Sequence, residues 1–548
     1  MSTALVELQP RSVATRPAPS LRAVLLWTNG IALLAVAVFL RVWHLGNIPG
    51  LNGDEAWYGV QALRVLHGES ISWRTPTGNP INPFFFLPQV ALHAMLPASV
   101  VLLRSVAVIS GLAALPVNYI LCRRAFDRST AIVSTVLLAL LPVNIAYSRF
   151  AWDASQSLLA TLFVVYLPLA RLRAGDGRSL LSGAAVLACV AAVVIHPTNV
   201  FAAVFLFVPL AYARRREILN FLRKSKVHAQ PWVLATLAVG LAATAWLALY
   251  LAPQLGERLH GPRALLPFAV NYLRLFSGSA VYQYISGAGL HTSNAGWFER
   301  TTLACDLGFG LVALLALLGL ARRVARNATP VDTCLMIGWL AMLAAFFVIA
   351  GPESIAPHFE RYGICLIAPG TLLIARGLAW WIDGCEACGR RLGIALALAA
   401  WLWPASFGVN YLQCFISTGG LSHKAFRTAA VEPKITALND ILSARVAGRP
   451  VDIVCREWWS YWPLAYLAFD VPQTRVLTWD EWASTRRAKP AVDDDTWFVE
   501  FAGSPGEIDS FQTAHARSTY VQWYTVLDYG ERPLISVFGP LENSSQNY

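Results

Sequence analysis

Long runs of apolar residues, separated by short polar stretches, follow one another along most of the chain. A run of roughly 17–25 apolar residues is long enough to cross a lipid bilayer as a helix. By that measure the sequence predicts about 11 transmembrane helices, at residues 22–43, 104–122, 130–147, 154–172, 179–195, 198–213, 231–252, 302–321, 332–350, 361–381 and 392–413. The pattern indicates a polytopic α-helical membrane protein.

One further apolar run, residues 83–97, is short, carries Gln89 and His93, and is bounded by prolines. Lysines and arginines stay on the cytoplasmic side of a membrane protein. If this run crossed the bilayer, the arginines of residues 1–22 would lie opposite all five later basic clusters. If it does not cross, all of them lie on one side. The run is therefore predicted to be an outer juxtamembrane helix within the first loop.

From about residue 414 the composition becomes that of a soluble domain. Strand patterns and helix patterns alternate there, which is typical of a small α/β domain. The strands are predicted at Val451–Val454, Trp497–Phe501 and Leu534–Phe538, and the helices at Lys434–Arg445 and Trp459–Phe469. An odd number of spans puts this domain on the extracytoplasmic face. The predicted organisation is a disordered cytoplasmic tail (1–21), a transmembrane domain (22–413) and an extracytoplasmic domain (414–548).

Composition supports the membrane assignment and narrows the function. The chain is 56% apolar and 14% charged, with a mean hydropathy of +0.50, which lies outside the range of soluble domains. Its net charge of +11 is spread in short bursts between apolar runs, as membrane orientation signals are, so we expect no nucleic-acid partner. The sequence contains neither a Walker-type loop nor a Gly-x-Gly-x-x-Gly fingerprint, which argues against nucleotide-driven chemistry.

Two adjacent acids, Asp54 and Glu55, follow the first apolar run and precede a helical pattern that starts with Trp57. One interpretation is that Asp54 is the helix N-cap and Glu55 a first-turn acid that complements the helix dipole. The other is that one of these carboxylates faces a cleft and acts as a general base on an acceptor hydroxyl. The two interpretations are compatible, and Asp54 is favoured as the base.

Further candidate residues lie at the same ends of later spans. Arg149 and Asp153 have the spacing of a helical ion pair, but they also suit a phosphate-binding arginine and a second carboxylate. His196 is either an ordinary interfacial residue or a metal ligand, for which His291 and His358 are the available companions. Whether the protein needs a divalent cation is left open.

The stretch that enters the tenth span contains Glu360, Arg361 and Tyr362. An Arg-Tyr pair at that position either anchors the helix at the interface or binds a lipid phosphate. The predicted topology brings these residues to the same face as Asp54, Asp153 and His196, although hydropathy and arginine positions alone defined that topology. This convergence predicts a site at the outer face.

In this order, the motifs resemble those of the C-type glycosyltransferase superfamily, most closely the protein O-mannosyltransferases and lipid A aminoarabinose transferases. The resemblance covers roughly residues 25–415 and is carried by Gly53-Asp54-Glu55-x-x-Tyr58, by Tyr147-Ser148-Arg149 with Asp153, and by Glu360-Arg361-Tyr362 followed by Pro369 and Leu372–Gly377. It implies a polyprenyl-phosphate sugar donor and inverting transfer to an extracytoplasmic glycolipid, glycan or protein. Residues 77–80 depart from the acid-Lys-Pro motif of the lipid A branch, which argues against aminoarabinose as the sugar.

The resemblance also implies roles for individual residues. Asp54 becomes the catalytic base, Asp153 the second acid of the site and Arg361 a ligand of the donor phosphate. By their positions in the sequence, Glu55 is a further candidate for the catalytic role, and Arg149 and Tyr362 are further candidates for binding the phosphate. The residues expected to line the site are Tyr58, His196, His358 and Glu360. We expect the protein in the inner membrane of a bacterium.

Two alternatives share this topology. A transporter or flippase of a lipid-linked sugar would carry polar residues near the middle of several spans. A glycan polymerase or ligase would use a lipid-pyrophosphate-linked chain instead. The aromatic run Trp458, Trp459, Tyr461 and Trp462 fits either a carbohydrate-binding surface or the packed core of the C-terminal domain.

Overall fold

The structure is a computed structural model. It describes residues 21–175, 182–215, 262–286, 295–384, 402–445, 448–488, 495–517 and 521–540, together with the single positions 217, 391, 392, 395 and 399. The span expected at 231–252, most of the tail 1–21 and the first part of the span 392–413 lie outside the described residues.

The membrane part of the described chain consists of apolar helices joined by short turns. They are α1 (Leu21–Val42), α2 (Gly53–Leu66), α3 (Pro83–Met95), α4 (Val100–Ala125), α5 (Arg128–Leu140), α6 (Pro142–Tyr147), α7 (Ser157–Arg173), α8 (Gly183–Ile195), α9 (Val204–Ala213), α10 (Leu265–Ser277), α11 (Ala295–Asn327), α12 (Pro330–Ala350) and α13 (Ile367–Gly384). Short helical segments lie between and after them, at Asp153–Gln156, Pro197–Ala203, Pro262–Ala264, Ser279–Val281, Tyr282–Ser286, Pro352–Ile355, Glu360–Leu366, Gly408–Gln413, Cys414–Thr418 and Lys424–Phe426.

Five of the described helices have the length and apolar composition needed to cross a bilayer, and five more are apolar but shorter. The five long ones are Val100–Ala125, Asp153–Arg173, Glu299–Asn327, Pro330–Ala350 and Glu360–Asp383. The chain is therefore a polytopic membrane protein, as predicted. The run at 83–97 forms the 13-residue helix α3, which is well short of the roughly 20 residues that a span requires.

One predicted span is interrupted. The apolar run 130–147 forms two helices, because α5 ends at Leu140 and α6 begins at Pro142. Proline lacks the N–H that would continue the first helix, and its fixed φ suits the first turn of the next one. The break turns α6 toward the loop that carries Arg149 and Asp153.

The C-terminal domain has one mixed five-stranded sheet with helices packed on it. Its strands are β1 (Val451–Cys455), β2 (Thr474–Thr478), β3 (Asp495–Phe501), β4 (Val521–Leu527) and β5 (Pro533–Pro540), in the order β2-β1-β3-β5-β4. Strands β2, β1 and β3 are parallel, and β5 is antiparallel to both β3 and β4. Its helices are α14 (Pro433–Ala444), α15 (Trp458–Leu467), α16 (Trp479–Ala488) and α17 (Pro505–Arg517).

Helix α15 joins the two parts of the molecule by packing against α2. Two glycines of α2 permit the close approach, since a Cβ at Gly59 would lie 2.5 Å from the Tyr466 ring and one at Gly53 would lie 2.7 Å from the Trp458 ring. The Tyr466 hydroxyl donates to the Ser99 carbonyl at 3.0 Å and lies 2.9 Å from Nε2 of His93. The packing of α15 on α2 brings the starts of the two helices together at Gly53 and Trp458.

Candidate active site

The first turn of α2 is fixed by a capping box that differs from the predicted cap. Asn52, not Asp54, is the N-cap: its side chain accepts the Asp54 N–H at 2.8 Å, and Glu55 accepts the Asn52 N–H at 3.3 Å. Capping boxes of this kind satisfy backbone N–H groups that a helix start leaves without partners. Because Asn52 and Glu55 do this work, the carboxylate of Asp54 is available for another role.

Glu55 lies in a buried ion pair and does not line the cleft described below. Its carboxylate accepts hydrogen bonds of 2.7 and 2.8 Å from Arg104 and one of 3.0 Å from the Ala151 N–H. Both charged side chains are fully buried. Arg104 also donates to the carbonyls of Pro49 and Gly50. The pair therefore ties α4 to the loop that precedes α2.

A cleft of about 140 Å³ opens where the first turn of α2, the loop before α7 and the start of α15 meet. It combines carboxylates, a guanidinium, an imidazole and several aromatic rings. The described residues that line it are Asp54, Trp57, Tyr58, Thr75, Pro76, Thr77, Asn79, Trp152, Asp153, His196, Arg361 and Trp458. Residues from distant parts of the chain thus meet in one polar and aromatic cleft, as expected of an active site.

Asp54 is held in this cleft by a residue of the C-terminal domain. Its Oδ1 accepts a hydrogen bond of 3.1 Å from Nε1 of Trp458. Burial raises the pKa of Asp54, while the charge of Arg361 and the Trp458 hydrogen bond act in the opposite direction. A carboxylate with a raised pKa is better suited to accept a proton near neutral pH than an exposed one.

Arg361 brings the positive charge of the cleft. Its guanidinium carbon lies 5.5 Å from the ring centre of Trp152 and 4.9 Å from that of Tyr362. Nη2 also donates a 3.1 Å hydrogen bond to the Tyr362 hydroxyl. Tyr362 does not line the cleft, so its contribution is to position Arg361. Aromatic contacts of this kind hold a cation while leaving donors for an anion.

Asp153, Tyr58 and His196 complete the predicted residues that meet here. Asp153 begins a short helical turn, and its Oδ1 accepts the Ala154 N–H at 2.7 Å. Burial raises the pKa of Tyr58, whose ring packs edge-on to Phe85 at 5.1 Å. Burial also lowers the pKa of His196, which favours the neutral imidazole.

Besides Glu55 and Tyr362, three more of the predicted site residues do not line the cleft. Arg149 is fully buried and donates to the backbone carbonyls of Leu40, Trp43 and Ile48. It therefore holds the end of α1, and it neither pairs with Asp153 nor lines the cleft as the expected phosphate ligand would.

Glu360 and His358 are also set back from the cleft. Glu360 is fully buried, and one of its oxygens accepts the Tyr147 hydroxyl at 3.0 Å, while the other has no hydrogen-bond partner among the described residues. His358 has a φ of 87° and packs against Tyr284, with ring centres 4.4 Å apart. His291 lies outside the described residues.

Among the residues that the structure describes, the side chains around the cleft do not form a metal site from protein ligands alone. No group of three or more His, Cys, Asp or Glu side chains within the described ranges is arranged to hold a metal ion. Asp54 and Asp153 are the two carboxylates of the cleft, and Arg361 already supplies a cation there. We therefore derive no step through a metal.

Several cleft residues carry no signal in the sequence. Trp458 belongs to an aromatic run that fits a binding surface or a core equally well, and the structure divides that run: Trp458 lines the cleft, whereas Tyr461 is in the core of the C-terminal domain. Thr75, Thr77 and Asn79 belong to a tight turn closed by the Thr75 N–H and the Asn79 carbonyl at 2.7 Å. Such contacts depend on docking between elements, which local patterns do not specify.

Comparisons with known proteins give similarities of fold at low sequence identity. No family model and no curated protein matches the chain. Among solved structures, ArnT from Cupriavidus metallidurans in the apo state has a TM-score of 0.49 and 14% identity, covering 94% of this chain and 98% of ArnT. ArnT bound to undecaprenyl phosphate gives 0.46 and 12%, covering 93% and 98%.

The Archaeoglobus fulgidus oligosaccharyltransferase, in a complex with zinc and sulfate, is similar as well. Its TM-score is 0.46 at 15% identity, covering 86% of this chain and 68% of that protein. At such values the function of this chain must be argued from its own residues.

Proposed function

We propose that this protein is an integral membrane glycosyltransferase that moves a sugar from a polyprenyl-phosphate donor to an acceptor hydroxyl, with inversion. The observation that carries the proposal is the cleft in which the carboxylate of Asp54 shares space with the guanidinium of Arg361. Asp54 is the general base, and Arg361 binds the donor phosphate. A base and an anion-binding cation in one cleft are what this reaction requires of a protein.

The transfer is a single displacement at the anomeric carbon of the donor. The acceptor oxygen forms a bond to that carbon, the bond from the carbon to the phosphate oxygen breaks, and the acceptor proton passes to Asp54. The phosphate leaves with the electron pair of the broken bond, and Arg361 stabilises the resulting charge. Asp153, on the same wall, is proposed to orient the hydroxyls of the sugar.

The site is proposed to face the extracytoplasmic side of the inner membrane of a bacterium. The basic clusters at 123–124 and 322–326 support this orientation, because they lie at the ends of α4 and α11 and mark the cytoplasmic face. A polyprenyl tail would then lie among the spans while its phosphate reaches Arg361 at the interface.

The test is donor consumption by purified protein in detergent, with and without the Asp54→Asn substitution. Radiolabelled undecaprenyl-phosphate monosaccharides are the probes, since ArnT, to which this chain is similar, has been solved with undecaprenyl phosphate. We expect the wild-type protein to consume at least one such donor and Asp54→Asn to lose about 10²- to 10⁴-fold in rate.

Folding can be separated from chemistry in this experiment. Because burial raises the pKa of Asp54, its carboxyl group ionises less readily in the folded protein than in the unfolded chain. The contribution of Asp54 to the free energy of unfolding is therefore present at low pH and lost as the pH rises. At neutral pH, Asp54→Asn should unfold at the wild-type temperature or above it. The matched control is Asp480→Asn, at an exposed acid outside the cleft. Donor turnover by Asp54→Asn at the wild-type rate would contradict the assignment of the base.

A further inference from the structure

A second cavity of about 300 Å³ adjoins the cleft. The two share Trp57, Thr75 and Pro76, so these residues form a common wall with open space on both sides. The second cavity extends from this wall toward the end of α2 and toward α15. We call it the second chamber, lined by Trp57, Gln61, Arg64, Ser70, Ile71, Ser72, Arg74, Thr75, Pro76 and Trp462.

The second chamber differs from the cleft in its charge. Its lining contains two arginines, Arg64 and Arg74, and contains no acidic residue. Arg64 forms an ion pair with Glu69, whose Oε2 lies 3.6 Å from its Nε, and the two side chains are 36% and 55% exposed. Exposed pairs of this kind are weak, so an anion entering the chamber can replace Glu69.

Each of these two guanidinium groups is positioned by a contact that leaves some of its N–H donors available to a ligand. The guanidinium carbon of Arg64 lies 5.9 Å from the centre of a Trp462 ring. Arg74 donates through Nη1 to the Gly78 carbonyl at 2.9 Å, within the turn that also supplies the common wall. A guanidinium has five N–H donors in a planar fork, so both groups keep donors for a phosphate or carboxylate.

The chamber also offers what a saccharide needs. Trp57 and Trp462 present aromatic rings 6.5 Å apart, nearly perpendicular to one another. Gln61 is only 4% exposed and lines the chamber. Its side-chain amide has both a donor and an acceptor, so it can hydrogen-bond to a ligand hydroxyl in the chamber.

We propose that the second chamber binds the acceptor, and that this acceptor is a saccharide carrying a phosphate or carboxylate. The inference rests on the proposed function, because it takes Asp54 as the base. The anionic group lies between Arg64 and Arg74, and the sugar ring packs on the tryptophans. A different part of the saccharide crosses the common wall and presents its hydroxyl to Asp54, so the anion is held away from the reacting oxygen.

The test is ligand-dependent thermal stability of the full-length protein in detergent, which does not depend on transfer. The probes are glucose 6-phosphate, glucuronate, glucose and inorganic phosphate. We expect the two anionic sugars to raise the unfolding temperature, and glucose and phosphate to raise it less at equal concentration. The double variant Arg64→Gln/Arg74→Gln should bind the anionic sugars more weakly by a factor of about ten or more. The matched control is Arg124→Gln, at an exposed arginine on α4.

The outcomes separate this proposal from the proposed function. Equal binding of anionic sugars by the wild type and the double variant, or no preference for anionic over neutral sugars, would overturn the acceptor site. A neutral glycan or a protein acceptor would give that result. If anionic sugars bind and the double variant loses them while no polyprenyl-phosphate donor is consumed, the saccharide site stands and the transferase assignment fails. Donor hydrolysis without an acceptor should proceed equally in both, since neither arginine lines the cleft.

Discussion

At the residue scale, the basicity of Asp54 depends on its burial and on two neighbours of different chemistry. Burial raises its pKa, and Arg361 and the indole N–H of Trp458 both favour the charged carboxylate. The base is therefore tuned by one residue from the membrane part and one from the C-terminal domain. Removing either neighbour should make Asp54 harder to deprotonate.

The first prediction concerns Trp458→Phe, which keeps an aromatic ring but removes the N–H donated to Asp54. The pKa of Asp54 should rise, because a hydrogen bond to its charged form is lost. The acidic limb of the plot of kcat/KM against pH should move to higher pH. The variant should therefore lose activity at the pH values of that limb and keep its activity at high pH. Trp523→Phe is the control, since that indole is 60% exposed on β4. An unmoved limb in Trp458→Phe would show that Asp54 is not the titrating base.

The residues that line the cleft could be predicted from the sequence more completely than the roles of the individual residues. Asp54, Tyr58, Asp153, His196 and Arg361 all line it. Glu55 could not be distinguished from Asp54 in the sequence, because successive residues of a helix differ only in the face they present. The difference comes from Arg104, 49 positions further along the chain.

At the element scale, the buried pair of Glu55 and Arg104 fixes where α2 begins. Glu55 also closes the capping box with Asn52 and accepts the Ala151 N–H. One carboxylate thereby connects the start of α2, α4 and the loop before α7. We expect the cleft to depend on this connection for its shape.

The second prediction uses the adjacency of the two acids. Glu55→Gln leaves Arg104 buried without its counter-charge, which costs about 3–5 kcal/mol when a buried pair is broken from one side. The unfolding temperature in detergent should fall, and donor turnover should fall with it but recover on cooling. Asp54→Asn should show the opposite pattern, with turnover lost and the unfolding temperature kept. If Glu55→Gln is as stable as the wild type yet inactive, Glu55 has a chemical role that its burial does not suggest.

Helices and central strands were predictable because each carries a local pattern. The predicted strands at Val451–Val454, Trp497–Phe501 and Leu534–Phe538 correspond to β1, β3 and β5, which are almost fully buried. The strands β2 and β4 were not predicted. The residues of β2 are intermediate or exposed, and β4 exposes Trp523, so neither has a clear apolar signal.

At the scale of the whole molecule, the functional cleft belongs to neither part alone. The membrane part contributes the acid and the arginine, and the C-terminal domain contributes Trp458. The presence of several membrane-crossing helices could be predicted from hydropathy, since hydropathy is a local property. The packing of α15 on α2 could not, because it depends on the two glycines of α2 matching Tyr466 and Trp458.

The third prediction tests the orientation of the whole chain. Exposed single cysteines are introduced as Ser484→Cys in the C-terminal domain and Arg124→Cys at the end of α4. With a membrane-impermeant maleimide on intact cells, Ser484→Cys should label before lysis and Arg124→Cys only after it. The wild-type chain gives the background, since its seven described cysteines are buried or half-buried. The reverse pattern would place the cleft on the cytoplasmic side.

The hydrogen bond between Asp54 and Trp458 joins residues that the ribosome synthesises at different times. The two residues are 404 positions apart, and a ribosome adds about 5–20 residues per second, so Trp458 is made on the order of 20 to 80 s after Asp54. During that interval Asp54, which we propose as the base, lacks the indole that holds its carboxylate. We therefore expect a nascent chain to reach full transferase activity only once the C-terminal domain has been made.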